Sequence, residues 1–294
     1  MQQDTDQIHR FILDSTDIRG EIVTLEKSFL DATAHQNLPK GCKALLGEFL
    51  AAVSLLSETL KYDGLLTLQA RGDGDIPLIM AETDNLGHIR GIVKQGDNAP
   101  PLEGMPTLKE AIGNGVLVLT VDPKSGERYQ GIVPLEKDHL AGCLSDYFER
   151  SEQLNTQFSL FSSDDKCAGL LVQALPPKEQ KNEQDRAETW AMVAQFAETL
   201  KADEIFTLDH NTILFRLFNE LECRVFTGKT IQFKCTCSRK RSANAIGSLG
   251  VDDAKALLTE EKIITINCDF CGTQYQYTQD DLSDIFGEDG HPVH

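Results

Sequence analysis

The segment Ile8–Leu13 reads as a strand. Ile18–Leu25 alternates well enough to be its partner across the turn Asp14-Ser-Thr-Asp17. A helix is predicted over Leu38–Leu60, with Pro39 in its first turn. There Leu45, Leu46, Phe49, Leu50, Val53, Leu56 and Leu60 recur with 3.6-residue spacing. Short strands follow at Leu65–Ala70, Pro77–Thr83 and Gly87–Val93. The run Arg71-Gly-Asp-Gly-Asp75 is a hairpin turn, because it lacks the Gly-Lys-Ser/Thr of a phosphate loop. Gly96–Met105, rich in Pro and Gly, is a loop. Val116–Val121 and Tyr129–Val133 form a hairpin over Asp122-Pro-Lys-Ser-Gly126. A helix over Lys137–Arg150 and a hairpin of Thr156–Ser162 with Lys166–Ala174 complete this stretch. Many strands with few helices and no βαβ alternation argue for an α+β core.

At Pro176-Pro-Lys-Glu-Gln-Lys-Asn-Glu-Gln-Asp185 the pattern becomes polar and Pro-led. Two amphipathic helices are expected beyond it. One spans about Asp185–Leu200 and the other about Asn211–Glu222, each with a single apolar stripe. Helices this short are marginal in water and need a surface to pack on. Three parts are therefore expected: an α+β core over 1–177, a helical linker over 178–231 that folds by docking, with an ordinary helical layer of one protein as the alternative, and a small unit over 232–294. In the last, Thr230–Lys234 leads in as a strand. Helices near Arg241–Leu249 and Asp252–Glu261 follow, then strands at Ile263–Asn267 and Gln274–Tyr277. Its apolar residues are sparse, and a domain of some 60 residues is marginal unless a metal or disulfide helps.

That weakness draws attention to the cysteines. Cys235-Thr-Cys237 is Cys-x-Cys and Cys268-Asp-Phe-Cys271 is Cys-x-x-Cys, with thirty residues between the pairs. Four thiolates in two close pairs suit a tetrahedral Zn²⁺, and soft sulfur also accepts Cu(I) or Fe–S. Gly272 permits the positive φ of a zinc-knuckle turn. Lys234, Arg239, Lys240 and Arg241 add positive charge beside the first pair. They can depress thiol pKa, or offset the −2 of a Zn²⁺ tetrathiolate. The other cysteines, Cys42, Cys143, Cys167 and Cys223, are scattered and expected to be small buried hydrophobes.

Charge narrows the partners. The chain of 294 residues carries a formal charge of −18. Residues 232–294 hold six Lys/Arg against ten Asp/Glu. Both oppose binding to nucleic acid or to an anionic membrane surface. No apolar run is long and uninterrupted enough to span a bilayer. The first residues lack the features of a signal peptide, so a reducing cytoplasm is expected, where paired cysteines mean metal or redox chemistry. No Ser/His/Asp or paired-carboxylate arrangement reads as catalytic, and an enzyme is not expected. His291 and His294 could bind metal adventitiously. Two other readings compete. One is a zinc-ribbon RNA- or ribosome-associated factor, supported only by Arg239-Lys-Arg241. The other is a thiol–disulfide oxidoreductase using Cys268 and Cys271, which lacks the βαβ setting of such sites.

The two cysteine pairs resemble those of the redox-regulated thirty-three-kilodalton heat-shock chaperone family. So do Tyr147-Phe-Glu-Arg-Ser-Glu-Gln153, Arg71-Gly-Asp-Gly74, His88-Ile-Arg-Gly91 and Tyr129-Gln-Gly-Ile-Val-Pro134. The resemblance covers essentially the whole chain. It implies an ATP-independent holdase with one Zn²⁺ on Cys235, Cys237, Cys268 and Cys271, inactive while reduced. It implies that oxidative stress forms the disulfides Cys235–Cys237 and Cys268–Cys271 and expels zinc. The switch unit and linker then unfold, unfolded client proteins are bound, and oxidised protomers dimerise.

Overall fold

The computed structural model describes residues 4–60, 62–96, 99–179 and 182–286. Two compact units divide between Lys234 and Cys235.

The first unit opens with the hairpin β1 (Gln7–Leu13) and β2 (Ile18–Leu25), followed by α1 (Lys27–Thr33) and α2 (Lys40–Thr59). Next come β3 (Gly64–Gly72), β4 (Leu78–Asp84), β5 (His88–Lys94), α3 (Leu108–Ile112), β6 (Gly115–Pro123) and β7 (Tyr129–Pro134). Then α4 (Leu140–Tyr147) runs into a π-turn, Phe148–Glu152, and the hairpin β8 (Thr156–Ser162)–β9 (Cys167–Ala174) follows. Helices α5 (Glu183–Glu198), α6 (Ala202–Thr207) and α7 (His210–Phe218) lead to three short strands. These are β10 (Cys223–Val225), β11 (Lys229–Thr230) and β12 (Gln232–Phe233).

One sheet has the order β10-β1-β2-β9-β8, with β11 also on β1, and the other is β12-β5-β4-β3-β6-β7. Helix α2 packs against strands of both sheets. Its period predicted one apolar stripe, but burial extends almost all round, from Gly41 to Ser57. A helix between two sheets has little polar face to keep wet. The predicted helix Lys137–Arg150 is shorter at both ends: it begins at Leu140 after an extended His139, and a π-turn takes over at Phe148. That turn lets Glu152 accept hydrogen bonds from the hydroxyls of Tyr147 (3.0 Å) and Tyr129 (3.1 Å). Gly131 lies against the Tyr147 ring, where a Cβ would meet it at 2.7 Å. The Tyr147–Gln153 and Tyr129–Pro134 segments are thus two halves of one packing device.

The three linker helices cover the face of the first sheet that is turned away from α2. Val193, Ala197, Leu200, Ile205, Ile213, Leu214 and Phe218 form a second core with Phe11, Leu13, Ile18, Ile22, Ala168, Leu170 and Val172. Asp17 holds the incoming chain by accepting from the backbone N–H groups of Lys178 (3.1 Å) and Glu179 (2.9 Å). Beyond α7 the chain is joined to both sheets by backbone pairing. β10 and β11 run antiparallel to β1, and β12 runs parallel to β5. That last pairing keeps Gln232 and Phe233 in the first compact unit. Cys42, Cys143 and Cys167 are buried as expected, whereas Cys223 is only half-buried.

One buried charge site marks the interior. Glu21 on β2 is fully buried, and neither carboxyl oxygen has a hydrogen-bond partner among the described residues. Burial pushes its pKa up to about 7 against the opposing pull of Arg19 and Arg10. Glu48 on α2 is likewise raised to about 7 by burial. A carboxyl whose folded pKa exceeds its unfolded value stabilises fully below the unfolded pKa, and that stability is lost as pH rises to about 7. The slope is about 1.4 kcal/mol per pH unit per group. Glu21→Gln should therefore melt higher than the parent at pH 8, with the gap closing towards pH 5. A calorimetric pH series checks this, and a gap independent of pH would refute it.

Candidate metal centre

The second unit is built from α8 (Arg239–Leu249), α9 (Val251–Glu261), the hairpin β13 (Ile264–Asn267)–β14 (Gln274–Tyr277) and α10 (Gln279–Ile285). Its apolar core is Ile246, Ala254, Leu258, Tyr277, Leu282, Ile285 and Phe286. Ser238 caps α8 by accepting from the Arg241 N–H. That cap fixes where Cys237 stands, immediately before the capping residue and two before the helix begins. The second pair sits at the tip of the β13–β14 hairpin. There the Cys268 N–H donates to Thr273 O (2.9 Å) and the Gly272 N–H to Cys268 O (2.8 Å). Gly272 takes φ +69°, a backbone state that only glycine adopts readily.

These two turns bring the four predicted cysteines together. All four Sγ atoms lie within 4.8 Å of one another. The short contacts run across the pairs: Cys235 to Cys268 at 3.6 Å, and Cys237 to Cys271 at 3.4 Å. A tetrahedron with Zn–S bonds of about 2.3 Å has sulfur–sulfur edges of about 3.8 Å. The donor set and its spacing fit a Zn²⁺ ion, which these residues could hold.

Polar neighbours tune the sulfurs. Burial pushes the Cys235 thiol up to about 12, and raises Cys268 as well. Burial also acts to raise Cys271, but hydrogen bonding with the Thr273 side chain (Sγ to Oγ1 3.2 Å) and backbone, with help from Cys237, outweighs it and brings that thiol down to about 7. The Tyr275 hydroxyl donates to Cys237 Sγ (3.1 Å), and the Cys237 N–H to Cys235 Sγ (3.4 Å). Such donors disperse negative charge on thiolates and fix their orientation. The sequence reading missed Thr273 and Tyr275. Their signal is alternation along the return strand, which places residues 273, 275 and 277 on one face.

The basic run has more specific work than a diffuse field. Arg239 pairs with Asp281 (2.6 Å), donates to Gln276 O (2.8 Å) and lies 4.5 Å over the Tyr277 ring. Arg241 donates to the carbonyl and hydroxyl of Thr236, the residue between the first two cysteines. The C-terminal histidines His291 and His294 lie outside the described residues.

Comparison with known proteins gives one consistent result. A family model described as Hsp33 protein matches residues 6–278. A protein named 33 kDa chaperonin from Pseudomonas fluorescens is 43% identical over 288 residues, covering 98% of this chain and 95% of that one. One of the same name from Pseudomonas paraeruginosa is 45% identical over 287 residues, covering 97% and 96%. A crystal structure of the 33 kDa chaperonin from Thermotoga maritima superposes with a TM-score of 0.78. It covers 95% of this chain and 97% of the other, at 23% identity, a likeness of fold.

Proposed function

This chain belongs to the Hsp33 protein family, and from that premise we propose that it is a redox-gated, ATP-independent holdase that binds unfolding client proteins. The observation carrying the reading is the convergence of four sulfurs in a unit whose apolar core is seven residues. A bound Zn²⁺ supplies cohesion and keeps the thiols deprotonated. In the proposed resting state Cys235, Cys237, Cys268 and Cys271 hold one ion, in a reducing cytoplasm.

Activation follows from sulfur chemistry. One thiolate attacks peroxide, forming a sulfenic acid and releasing hydroxide. A second thiolate displaces the sulfenic oxygen as hydroxide and closes a disulfide. Each disulfide takes two electrons from two thiolates and reduces one peroxide. The pairing we propose, Cys235–Cys237 and Cys268–Cys271, rests on the resemblance. The alternative is bridging along the shorter cross-pair contacts. With its ligands consumed, the second unit loses the binding free energy that supplements its small core. The linker helices α5–α7 then undock, and the apolar face they covered becomes available to unfolded chains. Dimerisation of oxidised protomers belongs to the same proposal, and the charge of −18 keeps the exposed form soluble. No catalysis is required. The alternative, a zinc-ribbon RNA- or ribosome-associated factor, is opposed by the charge of −18, and Arg239 and Arg241 also bond to Asp281 and Thr236 within the unit. No helix among the described residues is long and apolar enough to cross a membrane.

The test treats reduced, zinc-loaded protein with peroxide under mild warming. Released zinc, amide exchange, disulfide mapping and suppression of client aggregation are followed together. Zinc release, exchange in 235–286 and anti-aggregation activity should rise together. Zinc loss without gained activity would leave only a structural site, and a cross-pair disulfide map would replace the proposed pairing.

A further inference from the structure

A second constellation of metal-ligating atoms lies in the first unit, far in sequence from the cysteines. His9 on β1 and His210, the first residue of α7, face each other with their Nδ1 atoms 2.8 Å apart. Their rings meet edge to face, with centroids 5.0 Å apart. Asp4 completes the group: its Oδ2 accepts the His210 N–H at 2.9 Å. One ligand atom from each of Asp4, His9 and His210 lies within 4.8 Å of the other two.

The chemistry of this arrangement is specific. At 2.8 Å one Nδ1 carries an N–H that the other accepts, and a metal ion taking that proton's place would be held by both nitrogens. The opposite edge of the His210 ring is already fixed, with Nε2 3.0 Å from Thr24 Oγ1. In the tautomer that carries Nε2–H, Thr24 Oγ1 accepts it and Nδ1 is left with its lone pair. A hydrogen bond on the far nitrogen is the usual support of a metal-bound histidine. Asp4 gives Oδ2 to a backbone N–H, yet a carboxylate has further lone pairs to offer. For M–N bonds of about 2.0–2.1 Å in a tetrahedron, the two nitrogens need about 3.3 Å. Opening the pair by half an ångström or so reaches that.

We propose that Asp4, His9 and His210 form a second metal site, for a borderline divalent cation of the Zn²⁺ class, that pins α7 to β1. Two imidazoles and one carboxylate are a donor set for such ions, with a coordination position left for water. The site joins residues up to 206 positions apart in the chain and ties α7 to the strand it packs on. Its occupancy opposes linker release. This consequence rests on the proposed holdase reading; the site itself does not.

The experiment uses the full-length reduced chain already loaded with one equivalent of zinc. Further Zn²⁺ is titrated by calorimetry, and amide exchange is read over residues 210–218. The parent should take up a second, weaker equivalent. At free zinc of 100 times its Kd, opening of α7 should slow about a hundredfold. His9→Gln and Asp4→Asn should each keep the first equivalent and lose the second. No second equivalent in the parent would overturn the proposal. So would its survival in either variant, which would assign it to His291, His294 or surface carboxylates. A second equivalent that leaves α7 exchange unchanged would overturn the pinning. Because metal count and exchange do not depend on client binding, these failures are distinct from failure of the thiol switch.

Discussion

Replacing Cys271 by serine is expected to abolish tight zinc binding and unfold residues 235–286, while residues 4–234 stay folded. A serine hydroxyl stays protonated at neutral pH and is a poor ligand for a soft site. Structural zinc contributes on the order of 10 kcal/mol in small domains. A domain of this size has only a few kcal/mol of its own. The residual core of Ile246, Ala254, Leu258, Tyr277, Leu282, Ile285 and Phe286 is too small to make up the difference. The first unit has its own core around α2, which does not draw on the four clustered cysteines. Hydrogen exchange on reduced protein is the decisive measurement. Amides of α8, α9, β13 and β14 should exchange at unfolded-chain rates, with those of α2, β3 and β6 unchanged. If the serine variant kept native protection in the hairpin, the metal would not be what holds this unit together.

Much of this architecture is visible in the residue pattern, and the exceptions have physical causes. The hairpins β1–β2, β6–β7 and β8–β9 and the helix α2 follow the expected periods, because long segments average out local noise. The cysteine spacing pointed to a cluster directly, since ligand geometry tolerates few alternatives. Strands of two or three residues, such as β10 and β11, have no period to read and exist because β1 offers them an unpaired edge; β12 falls within the strand expected over Thr230–Lys234. Short α1, α3, α6 and α10 were missed for the same reason of length. All-round burial of α2 needs knowledge of the second sheet. The Asp4–His9–His210 group was not legible, because residues 4, 9 and 210 are far apart in sequence and meet only in the folded first unit. Docking was the property left open by the sequence, since a stripe of Ile213, Leu214, Leu217, Phe218 and Leu221 says that a helix wants a surface without saying which.

The sheet that receives that stripe makes the linker the most sensitive part of the proposed switch. Phe218→Ala should give a protein active as a holdase while still reduced and zinc-loaded. Phe218 is fully buried, with its ring centroid 5.7 Å from that of Phe11 on β1. Truncating a core Phe costs about 3–5 kcal/mol. At 1.36 kcal/mol per decade, the undocked population rises roughly a hundred- to several-thousandfold. Helices α6 and α7 have six and nine residues, too short to persist without the sheet beneath them. β1, β2 and β9 keep α2 on their other face, so core amides should hold while those of 183–218 lose protection. Phe215→Ala is the control. Phe215 is on the same helix but 69% exposed, and its loss should leave both exchange and activity at parent levels. Activity in Phe218→Ala with one zinc still bound would place linker undocking downstream of zinc release. An inert Phe218→Ala with an exchanged, undocked linker would show that the face beneath α5–α7 is not where clients bind.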